Sequence, residues 1–516
     1  MIIFQFFNFI SEIGGENLLT TIILSPLFSA VLLLVFKNLK YANETIIILG
    51  SMTLFFLVYN LEIISQGNNT ITVDAFEVFP GILLSFRIES LGLLFALLAS
   101  FLWIINSIYS IGYMRANTET NQTRFYIFFC LSIFAVMGLA FSANLVTFFL
   151  FYEALTLFTY PLVTHNGSSA AVRGGRVYLG ALLGTSICFL LLAIILTYNL
   201  AGSTEFSHGG ILPTSLSKIE LAILLVLFCF GIGKAALVPF HFWLPAAMVA
   251  PTPVSALLHA VAVVKAGVFG ILKIFVFIFG FDILAEANIS LVISLVAATT
   301  IIFASIKAIR ANNLKERLAF STVSQLSYII FAVSLLSPLA FIAAVYHLVA
   351  HAFGKITLFF AAGAIYTSLH KVEISELRGV GFQMPVTMIC FSIAAVSMIG
   401  LPPTAGFITK WFIFSGATDW KFLLAVGVMT LSTLLNIGYF FPIIFNAFFR
   451  KPLEIDSSVD GLDKKKEYGH YSFYGNFEAP LPILIAISLT AVCVILLFVF
   501  PSYPLAIAEN ILWSGP

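Results

Sequence analysis

Residues 231–270 read GIGKAALVPFHFWLPAAMVAPTPVSALLHAVAVVKAGVFG. Four prolines, Pro239, Pro245, Pro251 and Pro253, fall within 15 residues of one another. Proline removes a backbone donor and clashes with the preceding turn. An apolar helix running into this stretch is therefore expected to end near Val238. The piece FHFWLPAAMVA (240–250) then reads as a short interfacial or re-entrant segment before the next helix. Lys234 and Lys265 flank it, each inside an apolar run. Irregular backbone at membrane depth is tolerated only where it is buried in protein or lines a wet cavity. A broken helix beside buried charge thus sets the expected fold class: an all-α polytopic membrane protein with a polar interior.

Composition agrees. The chain has 516 residues, of which 60% are hydrophobic and 9% charged, against about 25% charged in soluble domains. A net charge of +1 argues against a nucleic-acid partner. The five cysteines, Cys130, Cys188, Cys229, Cys390 and Cys493, lie in apolar runs without metal-ligand spacing, and read as packing residues. The start, MIIFQFFNFISEIGGEN, lacks the basic region of a cleavable signal peptide.

Outward from the quoted stretch, apolar runs of membrane length predict about 14 spans. Span 5 lies near 143–163, span 7 near 219–238, span 8 near 253–280, span 11 near 339–365, span 12 near 383–413 and span 14 near 481–503. Loops and flanks after the odd spans hold 17 of the 25 Lys and Arg residues, and those after the even spans hold 3. By the positive-inside rule both termini are expected on the non-cytoplasmic side.

A second break stands in SMIGLPPTAGFITKWFIF (397–414), where Gly400, Pro402 and Pro403 interrupt span 12 just before Lys410. Interrupted helices at corresponding places of two halves point to a transport site. Spans 4–8 and 9–13 form two five-helix units, and an odd number of spans inverts the second relative to the first. The expected organisation is helices 1–3 in residues 1–118, the first unit in 119–283, the second in 284–446, a cytoplasmic linker in 447–480, and helix 14 with the C-terminus in 481–516.

The remaining basic residues lie within spans. A charge at the bilayer centre costs at least roughly 2.5–3.5 kcal/mol, so such groups are expected to line an ion or proton path. Glu153 is the lone acid in mid-span, in FFLFYEALTLFTYPLV (148–163). Burial can keep it protonated, and Lys234 is its expected ion-pair partner. Lys265 is central in span 8. His259 precedes it by one and a half turns, on another face unless the helix is distorted. Lys273 reads as an interfacial anchor. In YHLVAHAFGKITLF (346–359), His347, His351 and Lys355 recur at i, i+4 and i+8, one stripe of a helix. A proton relay suits three titratable groups on one face; a metal site is the rival, but no acid or thiol lies nearby. Lys410 is the expected terminal group. Ser255, Ser324, Gln325, Thr357, Thr404 and Thr409 could hold water between them.

Five stretches carry a family resemblance: FYEALTLFTYPLV (151–163), PFHFWLPAAMVAPTPVSALLHAVAVVKAGVF (239–269), NNLKERLAFSTVSQLSYI (312–329), HLVAHAFGKITLFF (347–360) and GLPPTAGFITKWF (400–412). The chain resembles the Mrp-type antiporter and complex I antiporter-like subunits over roughly residues 85–445, and the D-type Mrp subunit most. The resemblance implies 14 helices, two inverted repeats and a polar axis along the membrane mid-plane. On that pattern Glu153 and Lys234 are the switching pair, Lys265 the central lysine, His347, His351 and Lys355 the connection, and Lys410 the terminal residue. Lysine at that last position departs from one complex I member, which has glutamate. The implied partners are other membrane subunits, protons, possibly Na+, and the lipid bilayer of a bacterial inner membrane. The alternative is a proton-pumping subunit of a quinone-reducing complex or membrane-bound hydrogenase. A purely structural subunit is a third reading. No cofactor is expected: nucleotide-binding glycine loop, cysteine cluster and nucleophile–base motif are all missing from the sequence.

Overall fold

The computed structural model describes residues 14–39, 41–65, 71–451 and 477–513. Long helices stand where the spans were expected: α1 (Gly15–Val35), α2 (Ala42–Ser65), α3 (Ser90–Ala116), α4 (Gln122–Ala140), α5 (Leu145–Val163) and α6 (Ser169–Ala201). After α7 (Lys218–Gly231) come α8 (Thr252–Phe279) and α9 (Ser290–Arg310), then α10 (Leu314–Ser334) and α11 (Pro338–Leu369). Span 12 is two pieces, α12a (Pro385–Ile399) and α12b (Ala405–Gly416). α13 (Asp419–Phe449) and α14 (Leu481–Val499) follow. Among the described residues, 11 helices are long and apolar enough to cross a membrane. Most of the expected linker lies outside the described residues.

Local sequence explains where the helices start. The Asn144 side chain accepts from the Thr147 N–H at 2.8 Å to open α5. Ser217 and Glu220 form a reciprocal capping box on α7, and Asn313 caps α10. Such caps satisfy backbone donors that a helix start leaves unpaired. Gly400, at φ +87°, closes α12a in the left-handed region, which costs glycine little.

Burial ranks the helices. The apolar windows of α8 and α11 are wholly buried, whereas those of α6, α13 and α14 are about one-third buried and turn Leu, Ile and Phe outward. Lipid accepts those side chains, so the outer helices need no polar face. α8 and α11 are therefore the elements on which a charged side chain is sealed from lipid on every side.

The course of the backbone departs from the sequence reading in three places. α7 ends at Gly231, earlier than Val238, and a 3₁₀ turn over Gly233–Ala235 follows it. The close packing of Gly233 on Thr185 and of Gly267 on the Lys234–Ala235 backbone fits this earlier end. An antiparallel hairpin, β1 (Thr72–Phe79) and β2 (Ile82–Arg87), joins α2 to α3. Its signal is the Pro80–Gly81 dipeptide, a turn pair with Gly81 at φ +80°. Finally, α15 (Ser502–Trp513) continues the chain beyond Pro501.

Candidate functional site

The first break places Lys234 on the 3₁₀ turn after α7, fully buried. Its Nζ donates to the Tyr152 carbonyl at 2.8 Å and to Thr156 Oγ1 at 2.6 Å, both on α5. The same ammonium lies 3.1 Å from the centre of the Tyr152 ring, where the π face attracts a cation. The Lys234 N–H donates to the Tyr152 hydroxyl at 3.0 Å. Trp243, in the short segment after the break, donates to the Gly233 carbonyl at 3.0 Å. The expected pairing with Glu153 is not what the structure holds. Among the described residues Glu153 forms no ion pair, and neither buried carboxylate oxygen has a hydrogen-bond partner. Glu153 is nevertheless adjacent in sequence to Tyr152, which grips Lys234.

The second break repeats the ligand set. Lys410 Nζ donates to the Ile399 carbonyl and to Thr433 Oγ1, each at 2.6 Å, and lies 5.5 Å from the Tyr328 ring centre. Gly400 gives it room: a Cβ there would meet Lys410 Cε at 2.7 Å. Both break lysines are buried.

Between the breaks, α11 is the hub. Lys265, on α8, meets His351 Nδ1 at 2.9 Å. His347 Nδ1 meets Thr409 Oγ1 of α12b at 3.0 Å, and the two histidine rings are 5.7 Å apart. Lys355 Nζ donates to Ser321 Oγ at 2.7 Å and to the Leu318 carbonyl at 3.2 Å, both on α10. The i, i+4, i+8 stripe thus touches three different helices. His347 and His351 each leave Nε2 unpartnered and buried.

From Lys355 a polar chain continues. Ser321 Oγ meets the Tyr439 hydroxyl at 2.9 Å, which donates to Asn436 Oδ1 at 2.8 Å. Asn436 Nδ2 reaches the Tyr328 hydroxyl at 3.4 Å, and Tyr328 meets Ser432 Oγ at 2.6 Å. Tyr328 is the ring beside Lys410. Sequence reasoning missed Tyr152, Thr156, Ser321, Tyr328, Ser432, Thr433, Asn436 and Tyr439. A signal was present for part of this set: Ser432, Asn436 and Tyr439 recur at i, i+4 and i+7 in an apolar helix.

His259 sits on a π turn, Leu257–Val261, so the helix between it and Lys265 is distorted. Both its ring nitrogens are buried without partners, and its ring is 4.6 Å from that of Phe359. Of the small polar residues, Thr409 touches His347, and Gln325 donates to the Met398 carbonyl at 3.3 Å. Ser324, Thr357, Ser255 and Thr404 bond to Ser305, Thr490, Pro251 and Leu401, as helix packing groups do. Lys273 is not an interfacial anchor: it is fully buried, with Nζ 3.0 Å from Glu89 Oε2 and 2.7 Å from the Ser142 carbonyl.

A mostly helical membrane fold with two broken helices and a buried row of lysines and histidines defines a class of membrane transport subunit. The family model "NADH:quinone oxidoreductase/Mrp antiporter, TM" matches residues 142–436, and the chain belongs to that family. It is 33% identical over 358 residues to NADH-quinone oxidoreductase subunit N of Desulforudis audaxviator (strain MP104C), covering 68% of this chain and 70% of that protein. It is 31% identical over 384 residues to the chloroplastic NAD(P)H-quinone oxidoreductase subunit 5 of Adiantum capillus-veneris. That match covers 71% of this chain but 51% of the relative's length. The fold is similar to a chain in the structure of the Mrp complex from Dietzia sp. DQ12-45-1b, with a TM-score of 0.82, 21% identity and 96% of each chain covered.

Proposed function

We propose that this chain is a membrane subunit that carries protons from the Glu153–Lys234 pair and Lys265 through the His347–His351–Lys355 stripe to Lys410, within a multisubunit Mrp-type monovalent cation/proton antiporter. The observation that carries the reading is the 2.9 Å contact between Lys265 Nζ and His351 Nδ1. It joins the two halves of the axis through two groups that can each hold or release a proton.

The mechanism is charge-pair switching. When Lys234 turns to Glu153, Lys265 is relieved of its repulsion and can hold a proton. When Lys234 turns back, like charges in a poorly screened interior favour release of a proton from Lys265. His351 is the acceptor in reach. From the stripe, His347 and Thr409 lead towards Lys410, and the Ser321–Tyr439–Asn436–Tyr328 chain leads there from Lys355. Here Lys234 is held by Tyr152 and Thr156, which corresponds to the unpaired arm of the switch. In an antiporter the cycle is coupled to Na+ or another monovalent cation moving the other way. The loop charges support both termini outside the cytoplasm, and a bacterial inner membrane is the placement that the family resemblance implies.

The test is proton transport by the complete complex in vesicles, with Lys265→Ala compared against the unmodified chain. Transport should fall to background while assembly is kept. Normal driven transport in an assembled Lys265→Ala complex ends this reading. The relationship to an NADH-quinone oxidoreductase subunit N favours a second setting for the same axis, a redox-driven pump. Purification from the native membrane separates the two: small antiporter subunits co-purify in the first case, and redox subunits in the second.

A further inference from the structure

Lys273 lies eight residues after Lys265 on α8. Both fall within the regular α-helical part of that element, Val263–Lys273, so they share one stripe with Phe269 between them. The rise is about 12 Å at 1.5 Å per residue. Lys273 is thus a second buried lysine on the path from the centre towards the face that carries the hairpin.

What surrounds it differs from the axis. The Lys273 ammonium is 3.9 Å from the Phe206 ring centre, 5.7 Å from that of Phe277 and 5.8 Å from that of Phe269. Phe269 packs on Phe95 of α3 at 4.8 Å, and Phe206 packs on Phe148 of α5 at 6.3 Å and on Phe277 at 6.4 Å. All five rings are buried. Such a layer offers water no hydrogen bond, and a proton needs a chain of polar groups or water to cross it.

The polar groups lie on the hairpin side of this layer and contact mainly one another, Glu89 Oε2 through its ion pair with Lys273 alone. Glu89, at the start of α3, pairs with Lys273 through Oε2 and accepts from Arg87 through Oε1, at 3.2 Å from Nε and 2.8 Å from Nη2. Arg87 also donates to the Phe206 carbonyl, and Lys273 to the Ser142 carbonyl. Exposure rises outward, from 0% for the Lys273 side chain to 11% for Glu89 and 25% for Arg87. Glu205 stands at the edge of the cluster, bonded to Asn144. One ion pair therefore ties the end of α8 to the start of α3, the two helices whose Phe269 and Phe95 close the layer.

We infer that the Glu89–Lys273 pair latches this aromatic layer shut, sealing Lys265 from the hairpin face so that its proton leaves only through α11 and Lys410. The inference rests on Lys265 being the central proton site. A fixed, charged Lys273 adds to the seal, since a buried cation repels an incoming proton, as charged residues do in pores that exclude protons.

The experiment measures passive proton conductance of the complete complex in vesicles under an imposed membrane potential, with no cation gradient. Glu89→Gln and Lys273→Met break the latch and should raise the leak by about ten-fold or more, the scale of one charge-assisted hydrogen bond. Lys273→Arg keeps the pair and should stay as tight as the unmodified complex. Adding Lys265→Met to Glu89→Gln should return the leak to its starting level. A simple structural clamp predicts otherwise, because general damage leaks with or without Lys265. Unmodified tightness in both Glu89→Gln and Lys273→Met, or a leak that Lys265→Met leaves untouched, overturns the inference. If neither latch variant assembles, Phe269→Ala decides: a leak dependent on Lys265 supports the seal, and a tight complex refutes it. The Lys265→Ala transport assay is separate, so loss of driven transport there with no leak here would sink the latch alone.

Discussion

The two breaks solve one problem with one ligand set but connect differently. Lys234 and Lys410 each donate to a backbone carbonyl and a threonine hydroxyl, and each lies beside a tyrosine ring. Lys234 takes its carbonyl from a neighbouring helix, through Tyr152. Lys410 takes the Ile399 carbonyl that its own broken helix has freed. From Lys410 and its Tyr328 a polar chain runs back to Lys355. From Lys234 the described hydrogen bonds lead only to α5, and the step to Lys265 is a gap. The first half also has the acid, Glu153. A switch needs a gap and a rival partner, whereas a conduit needs continuity, so the halves divide those tasks under the proposed mechanism.

The comparison breaks first at the lysines. Lys234→Ala and Lys410→Ala should each bring driven proton transport to background in vesicles, with the complex still assembled. Retention of half the rate in one of them would show that the two breaks are not equivalent steps. Next come the glycines that let the lysines sit there. Gly400→Ala places a Cβ 2.5 Å from Lys410 Cδ and strains a left-handed residue, while Gly267→Ala meets the Lys234 carbonyl carbon at 2.5 Å. Each should cost about 1–3 kcal/mol from overpacking, with about 1 kcal/mol more at Gly400, read as lower melting temperatures of the complex. The smallest effect sharpens the contrast. Tyr439→Phe removes one link of the second-half chain at a cost of about 0.5–1.5 kcal/mol in stability, and should slow transport by about three- to ten-fold. An unchanged rate would mean that the proton bypasses Tyr439.

Much of the site was legible because charge in an apolar helix is conspicuous. Glu153, Lys234, Lys265, Lys355 and Lys410 needed no structure to be singled out, and the prolines marked both breaks. Threonine, serine and tyrosine are common in helices and carry no such cost, so Thr156, Ser321, Thr433 and Tyr439 stood out only once their partners on other helices were known. Lys273 shows the opposite error. Its place near a helix end suggested an interfacial anchor, yet α3 and the loop carrying Phe206 cover that end.

By itself the sequence determined the class of fold, the two breaks and which charges lie within apolar helices, because the cost of burying charge and the geometry of proline act locally. Tertiary structure decided the rest. It chose Tyr152 and Thr156 as the present grip on Lys234 in place of Glu153, and it brought Lys265 to His351 across 86 residues of chain. It also paired Lys273 with Glu89. Hydrogen bonds act over about 3 Å, and which groups come that close depends on how whole helices pack, which no single segment encodes.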